Sequence, residues 1–266
     1  MRNLRLIWGV AVVSAGLFLA GCGQAGGKIN LAASPADDLF TQAEALAGEG
    51  KKLEAKSVFQ QILSEHSDYK NIETVQEALY RINMEILFSS LQTPQTTIHE
   101  VVAGDTLGKI SAKYNETKDL IRVSNNLPGD TVRLGQRLRI WNGKFSVHVD
   151  KSQNVLILKS NDEVWKVYHV STGANNSTPV GTFKITTKLE NPVWFKAGAV
   201  IPPESPDNVL GTRWLGFDIE GYGIHGTVEP DKIGQQVTAG CVRMRNHEVE
   251  ELYKILPRNT EVTVVD

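Results

Sequence analysis

Cysteine is almost missing from this chain: there are two in 266 residues, Cys22 and Cys241. So few cannot build the disulfide framework of a small secreted scaffold. A basic excess is also missing. Lys and Arg total 28 against 30 Asp and Glu, a formal net charge of -2. Without a basic stripe or basic domain, no nucleic-acid partner is expected. Zinc-like ligand spacing is absent as well, because Cys241 and His225 lack two further ligands, so no metal is implied. After the first twenty residues no apolar run approaches the roughly 20 needed to span a bilayer. What remains is ordinary globular material, 41% hydrophobic and 22% charged. Its length suits one large domain or two to three small ones.

The start of the chain is different. Arg2 and Arg5 precede an apolar run from Leu6 to Ala20, followed by the small residues Ala20 and Gly21. That order reads as a secretory signal over 1–21, with an uncleaved anchor helix as the alternative. Leu19-Ala20-Gly21-Cys22 resembles the lipobox of bacterial lipoproteins. The resemblance implies cleavage before Cys22, lipidation of its thiol and a membrane-held chain in the cell envelope, facing the periplasm. Glycine at position 23 implies the outer membrane if the host has two. Small and polar residues over 22–36 read as a tether. A Cys22–Cys241 disulfide is the plain alternative use of the two thiols.

Residues 37–90 carry three helical stripes, Leu39/Ala43/Leu46, Ala55/Phe59/Ile62/Leu63 and Val75/Leu79/Ile82/Ile86. The first two resemble a single tetratricopeptide repeat, although Ser67 stands where that repeat usually has proline. One repeat buries its face poorly, so a helical spacer is expected rather than a partner-binding array. A polar linker follows at 89–97. Residues 98–141 then read β-α-α-β. Val101-Val102, Gly104-Asp105-Thr106-Leu107, Ile110, Tyr114, Leu120, Asn125, Leu127 and Gly135-Gln136-Arg137-Leu138 resemble the LysM motif. That implies binding to glycan containing N-acetylglucosamine, here peptidoglycan. A purely structural spacer is the alternative.

From Lys144 the period changes to two, over 145–149, 155–158 and 164–170, with a further strand at 181–188. One amphipathic helix carries Val249, Leu252, Tyr253 and Leu256 and ends at Pro257. Asn246 is its expected cap. A closing strand covers 261–265. The 144–266 region is therefore a mostly-β domain with one late helix.

Its chemistry lies in Ile224-His225-Gly226-Thr227 and Thr238-Ala239-Gly240-Cys241-Val242-Arg243-Met244. A cysteine attacks as thiolate, and a histidine can take its proton. The Gly226 carbonyl can accept the His225 Nδ1 proton and fix the tautomer, the task of a carboxylate in other triads. Backbone N–H groups at Gly240 and Val242 are candidate oxyanion donors. Thr238, Arg243 and Trp214 are candidate substrate contacts; the planar fork of Arg243 suits a carboxylate. Taken singly, a cysteine or a histidine is more often core than catalyst. His66, His99, His148 and His169 show no partner pattern and read as surface or strand residues, and His247 reads as a helix-start residue. Trp194, Phe195, Trp214 and Phe217 are expected mostly in the core, with lining of a donor cleft as the alternative for some.

These two segments resemble the catalytic signature of the L,D-transpeptidases, in which His-Gly precedes Ser/Thr-x-Gly-Cys-x-Arg. Ser171-Thr172-Gly173, Thr178-Pro179-Val180-Gly181-Thr182-Phe183, Asn191-Pro192-Val193-Trp194, Leu210-Gly211-Thr212-Arg213-Trp214 and Met244-Arg245-Asn246 extend the likeness, while Ala239 departs from the His or Arg of many members. The resemblance implies Cys241 as nucleophile, His225 as acid/base, acylation by a peptidoglycan tetrapeptide stem and 3→3 cross-linking. It also leaves rivals. Water as acceptor gives a carboxypeptidase, a protein lysine gives wall attachment, and a degenerate site gives a non-catalytic scaffold.

Overall fold

The computed structural model describes residues 34–196 and 198–266. The lipobox and most of the tether lie outside them. The described chain opens on three helices, α1 (Pro35–Gly48), α2 (Lys52–Glu65) and α3 (Ile72–Leu87). Their apolar stripes meet at Ala43, Ala55, Phe59, Ile62, Val75 and Ile82. Strand β1 (Thr96–Glu100), helices α4 (Leu107–Tyr114) and α5 (Lys118–Ser124), and strand β2 (Arg137–Trp141) follow, with β1 and β2 antiparallel.

Threonine fixes both short helices. Thr106 Oγ1 accepts from Lys109 N at 3.2 Å and Thr117 Oγ1 from Leu120 N at 3.0 Å. Each satisfies a backbone donor that a helix start leaves open. Asn125 then acts as a substitute strand: its amide donates to Arg139 O (2.8 Å) and accepts from Arg139 N (2.6 Å), tying the end of α5 to β2. His99 is a correction to the sequence reading. It is buried, with Nε2 2.9 Å from Asp105 Oδ2 and Nδ1 3.1 Å from Tyr114 Oη.

The C-terminal domain contains β3 (Phe145–Asp150), β4 (Val155–Ser160), β5 (Glu163–His169), β6 (Thr172–Gly173), β7 (Gly181–Glu190), β8 (Trp194–Lys196), β9 (Ala199–Ile201), β10 (Arg213–Phe217), β11 (Gly223–His225), β12 (Gln236–Thr238), β13 (Val242–Arg243), α6 (Asn246–Ile255) and β14 (Glu261–Val265). Eight strands form one sheet in the order β13-β11-β10-β7-β14-β3-β4-β5. The β14–β3 and β11–β13 pairs are parallel. Asn161 and Asp162 make the two-residue β4–β5 turn, both at positive φ, as a hairpin turn matching strand twist requires. The sequence shows neither the β8–β9 hairpin nor the short strands around the site. Phe195 is 76% exposed on that hairpin, not core.

The modules are not strung on a loose linker. Leu120 and Trp141 of the β-α-α-β unit join the same apolar core as α1–α3 and the large sheet, while Val101, Leu107, Ile110, Ile121, Leu138 and Ile140 form a small core of their own. Arg139 is buried and sends Nε to Leu91 O (2.8 Å), Nη1 to Leu87 O (3.0 Å) and Nη2 to Ile86 O (3.3 Å). It thereby closes the carbonyl end of α3. Buried Asn83 of α3 donates to Trp165 O in β5 at 3.1 Å, and Thr117 Oγ1 donates to Lys254 O of α6. Residues 35–266 accordingly form one compact unit. No helix among the described residues is long and apolar enough to cross a membrane.

Candidate active site

His225 ends β11, between β10 and β13. The antiparallel register sets Trp214 directly opposite it, and the rings stack with centroids 6.0 Å apart and planes at 21°. The parallel register sets Arg243 on its other side. Parallel partners point to the same side of a sheet, so Arg243 and His225 share one face, and Cys241 stands in the bend two residues before Arg243. His225 is 3% exposed, and its Nδ1 lies 2.6 Å from Gly226 O. That contact fixes the ring and places the proton on Nδ1, leaving Nε2 as the basic nitrogen.

Asn246 holds this strand end in place. Its Oδ1 accepts from Thr227 N at 3.0 Å and from Thr212 N at 3.2 Å. A Cβ on Gly226 would stand 2.2 Å from that oxygen, which explains glycine there. Asn246 is therefore not the cap of α6. Arg245 occupies the cap position, and Glu248 accepts from its backbone N at 3.2 Å.

Cys241 follows a tightly fitted glycine. Gly240 has φ +131°, and a Cβ on it would meet Tyr222 Cε1 at 2.6 Å. Thr238 Oγ1 accepts from Gly240 N (3.1 Å) and donates to Cys241 O (2.7 Å). Thr238 is buried, and its hydroxyl braces the turn that carries Cys241. The Gly240 N–H is thus engaged, and the Val242 N–H lies in the β11–β13 ladder. Cys241 N–H has no acceptor among the described residues, which makes it the open donor beside the sulfur.

Cys241 is a free, half-buried thiol whose Sγ–H donates to Gly221 O at 3.4 Å. Burial pushes this thiol up to about 11, against the opposing pull of the Gly223 N–H and Arg243. Burial likewise pushes the His225 imidazole down to about 4, aided by Arg243 and opposed by the Gly226 and Leu210 carbonyls. The resting pair is therefore thiol and neutral imidazole, not the ion pair that residue types alone suggest.

Arg243 is 7% exposed. Its Nη1 donates to Glu229 Oε2 at 3.0 Å, and its buried Nε has no partner among the described residues. Glu229, Asn246, Gly221 and Tyr222 are site residues that sequence reasoning missed. No group of three or more His, Cys, Asp or Glu among the described residues is arranged to hold a metal.

Comparison with known proteins follows this geometry. Residues 144–264 match the family model of the YkuD-type L,D-transpeptidase catalytic domain, and 99–141 match the LysM domain. YqjB of Bacillus subtilis (strain 168), whose name provisionally gives it as an L,D-transpeptidase, is 43% identical over 126 residues, covering 45% of this chain and 70% of that protein. YkuD of Bacillus licheniformis, named in the same provisional way, is 30% identical over 175 residues, covering 63% of this chain and 98% of its own. Among solved structures, an L,D-transpeptidase from Mycobacterium smegmatis aligns at 18% identity with a TM-score of 0.39, over 50% of this chain and 64% of that one. The chain belongs to the L,D-transpeptidase family and carries a LysM domain ahead of the catalytic domain.

Proposed function

We propose that the chain is a cysteine-dependent L,D-transpeptidase of peptidoglycan, with Cys241 as nucleophile and His225 as acid/base. The observation that carries this is a free thiol in the bend leading into the strand that pairs Arg243 with His225, whose imidazole is locked by the Gly226 carbonyl. Because both groups rest neutral, His225 Nε2 takes the thiol proton as sulfur attacks the stem carbonyl, so charge develops only along the reaction. The Cys241 N–H is the donor best placed to hold the oxyanion. The C–N bond to the terminal D-alanine breaks, His225 returns the proton to that amine, and a thioester remains. An amine of a second stem then attacks, loses its proton to His225 and expels the thiol, forming a 3→3 cross-link.

The LysM domain supplies the grip on glycan, and Cys22 the lipid that holds the chain in the envelope. Several acyl chains together anchor stably, since each buried CH₂ adds about 0.8 kcal/mol.

Intact-mass analysis of the full chain with a carbapenem tests the nucleophile: one covalent adduct is expected, and none in Cys241→Ala. An adduct surviving in Cys241→Ala overturns the assignment. Incubation with disaccharide-tetrapeptide tests the acceptor. A 3→3 dimer is expected, whereas tripeptide alone identifies a carboxypeptidase. Changing Cys22→Ser should release the chain from the membrane fraction; firm retention would instead identify 6–20 as an uncleaved anchor.

A further inference from the structure

Arg243 is locked at both backbone ends. Its N donates to Ser171 O and its O accepts from Ser171 N, each at 2.8 Å. β11 flanks it on the other side. Its guanidinium is then directed by one carboxylate, Glu229, at 3.0 Å. Glu229 is placed with equal care. Its N–H donates to Thr227 Oγ1 at 2.9 Å, one residue beyond the His225-Gly226 pair. Its second oxygen takes Lys232 Nζ at 2.5 Å, and Lys232 O accepts from buried Ser171 Oγ at 2.6 Å. A closed ring of contacts, Ser171–Arg243–Glu229–Lys232–Ser171, therefore surrounds a cation that faces the sulfur and the imidazole.

Resting on the reading of Cys241 and His225 as the reacting pair, we infer that Glu229 is a positioning residue for the reaction: it holds the Arg243 guanidinium beside the pair and sets how much of its charge the sulfur feels. A bare guanidinium there would favour thiolate and oppose imidazolium together. Glu229 offsets part of that charge, and Lys232 in turn offsets part of Glu229. These are the charged groups that face Arg243 directly or through Glu229. The arrangement also explains the unpartnered Nε. Arg243 is held through one terminal nitrogen, and the rest of the guanidinium is left to act by its field. The charge felt at the sulfur is thus tuned from a half-exposed loop.

The test uses the full chain with Cys22→Ser, so that Cys241 is the sole thiol, and follows thiolate ultraviolet absorbance against pH, with Cys241→Ala as blank. Glu229→Gln keeps an acceptor for Arg243 but removes the carboxylate charge. It should move the thiolate midpoint to lower pH by about half a unit to one unit, and the pH dependence of carbapenem acylation should move the same way. Lys232→Gln should move the midpoint the opposite way, and Glu229→Asp should restore most of the parent value. A midpoint unchanged or raised in Glu229→Gln overturns the proposal, as does a lowered one in Lys232→Gln. A purely structural role would lower the melting temperature and leave the midpoint where it was. The titration reads Cys241 whether or not the protein is acylated, so loss of the transpeptidase reading would not obscure this result.

Discussion

Two buried arginines stand in the same chain with opposite treatment. Arg139, at the module junction, donates from both terminal nitrogens to carbonyls at the end of α3 and from Nε to Leu91 O just beyond it. Nearby Glu116 accepts from Trp141 N at 3.0 Å through one oxygen and has no partner for the other, and burial pushes it up to about 8. There the cation is saturated and the acid is left neutral at ordinary pH. Arg243, at the site, has one carboxylate partner that reaches water and one nitrogen left open. A structural arginine is spent on hydrogen bonds; the site arginine is kept partly unspent, so that its field acts on the sulfur.

The sharpest way to break this contrast is to remove each cation. Arg139→Gln strands three carbonyls and should cost about 3–5 kcal/mol, read by urea unfolding, while folded protein keeps its acylation rate. Arg243→Gln should cost about 1–2 kcal/mol, because Glu229 can turn to solvent, but slow carbapenem acylation by on the order of 10²-fold. If Arg139→Gln proves as stable as the parent, the contrast fails.

The acids and bases give opposite pH slopes. Glu116 has a folded value raised from 4.5 to about 8. Its contribution is full below the unfolded value and lost as pH rises through about 8, a loss of up to about 5 kcal/mol. Glu116→Gln should flatten melting temperature against pH across that window. His225 is depressed from 6.5 to about 4. Its contribution is present above 6.5 and lost as pH falls through about 4, a loss of about 3 kcal/mol. His225→Asn should flatten the acid side alone. Acylation by the parent should persist from neutrality down toward that protonation. The smallest effect is expected from Asn246→Ala, about 1–2 kcal/mol of stability and a severalfold slower acylation, since it loosens the strand end carrying His225 without touching sulfur.

The helices, the β-α-α-β unit and the mostly-β domain with its late helix were readable because each rests on short-range pattern or on local motif. The Gly226 carbonyl contact was readable for the same reason, being one residue from the ring it holds. Partners set by tertiary pairing were not. Glu229 lies 14 residues from Arg243 and Asn246 19 from Thr227, with nothing in the intervening sequence to mark either. The bracing role of Thr238 was not legible, because its partners Gly240 N and Cys241 O are backbone groups set by the turn's geometry. Phe195 was misjudged because an aromatic residue does not reveal that its strand is a protruding hairpin. The neutral resting pair depends on burial, which residue types do not state.

The shared core through Leu120, Trp141 and Arg139 has a mechanical consequence. A glycan-binding domain on a flexible linker raises encounter frequency but averages over all separations. Here the LysM domain and the large sheet of the catalytic domain share one core within one compact unit. Any strand gripped by the first is presented to the second at a fixed offset and angle, like work clamped to a jig. Selection of which stem reacts would then come from registry along the glycan, and the thiol would sample few neighbouring stems before the grip itself had to shift.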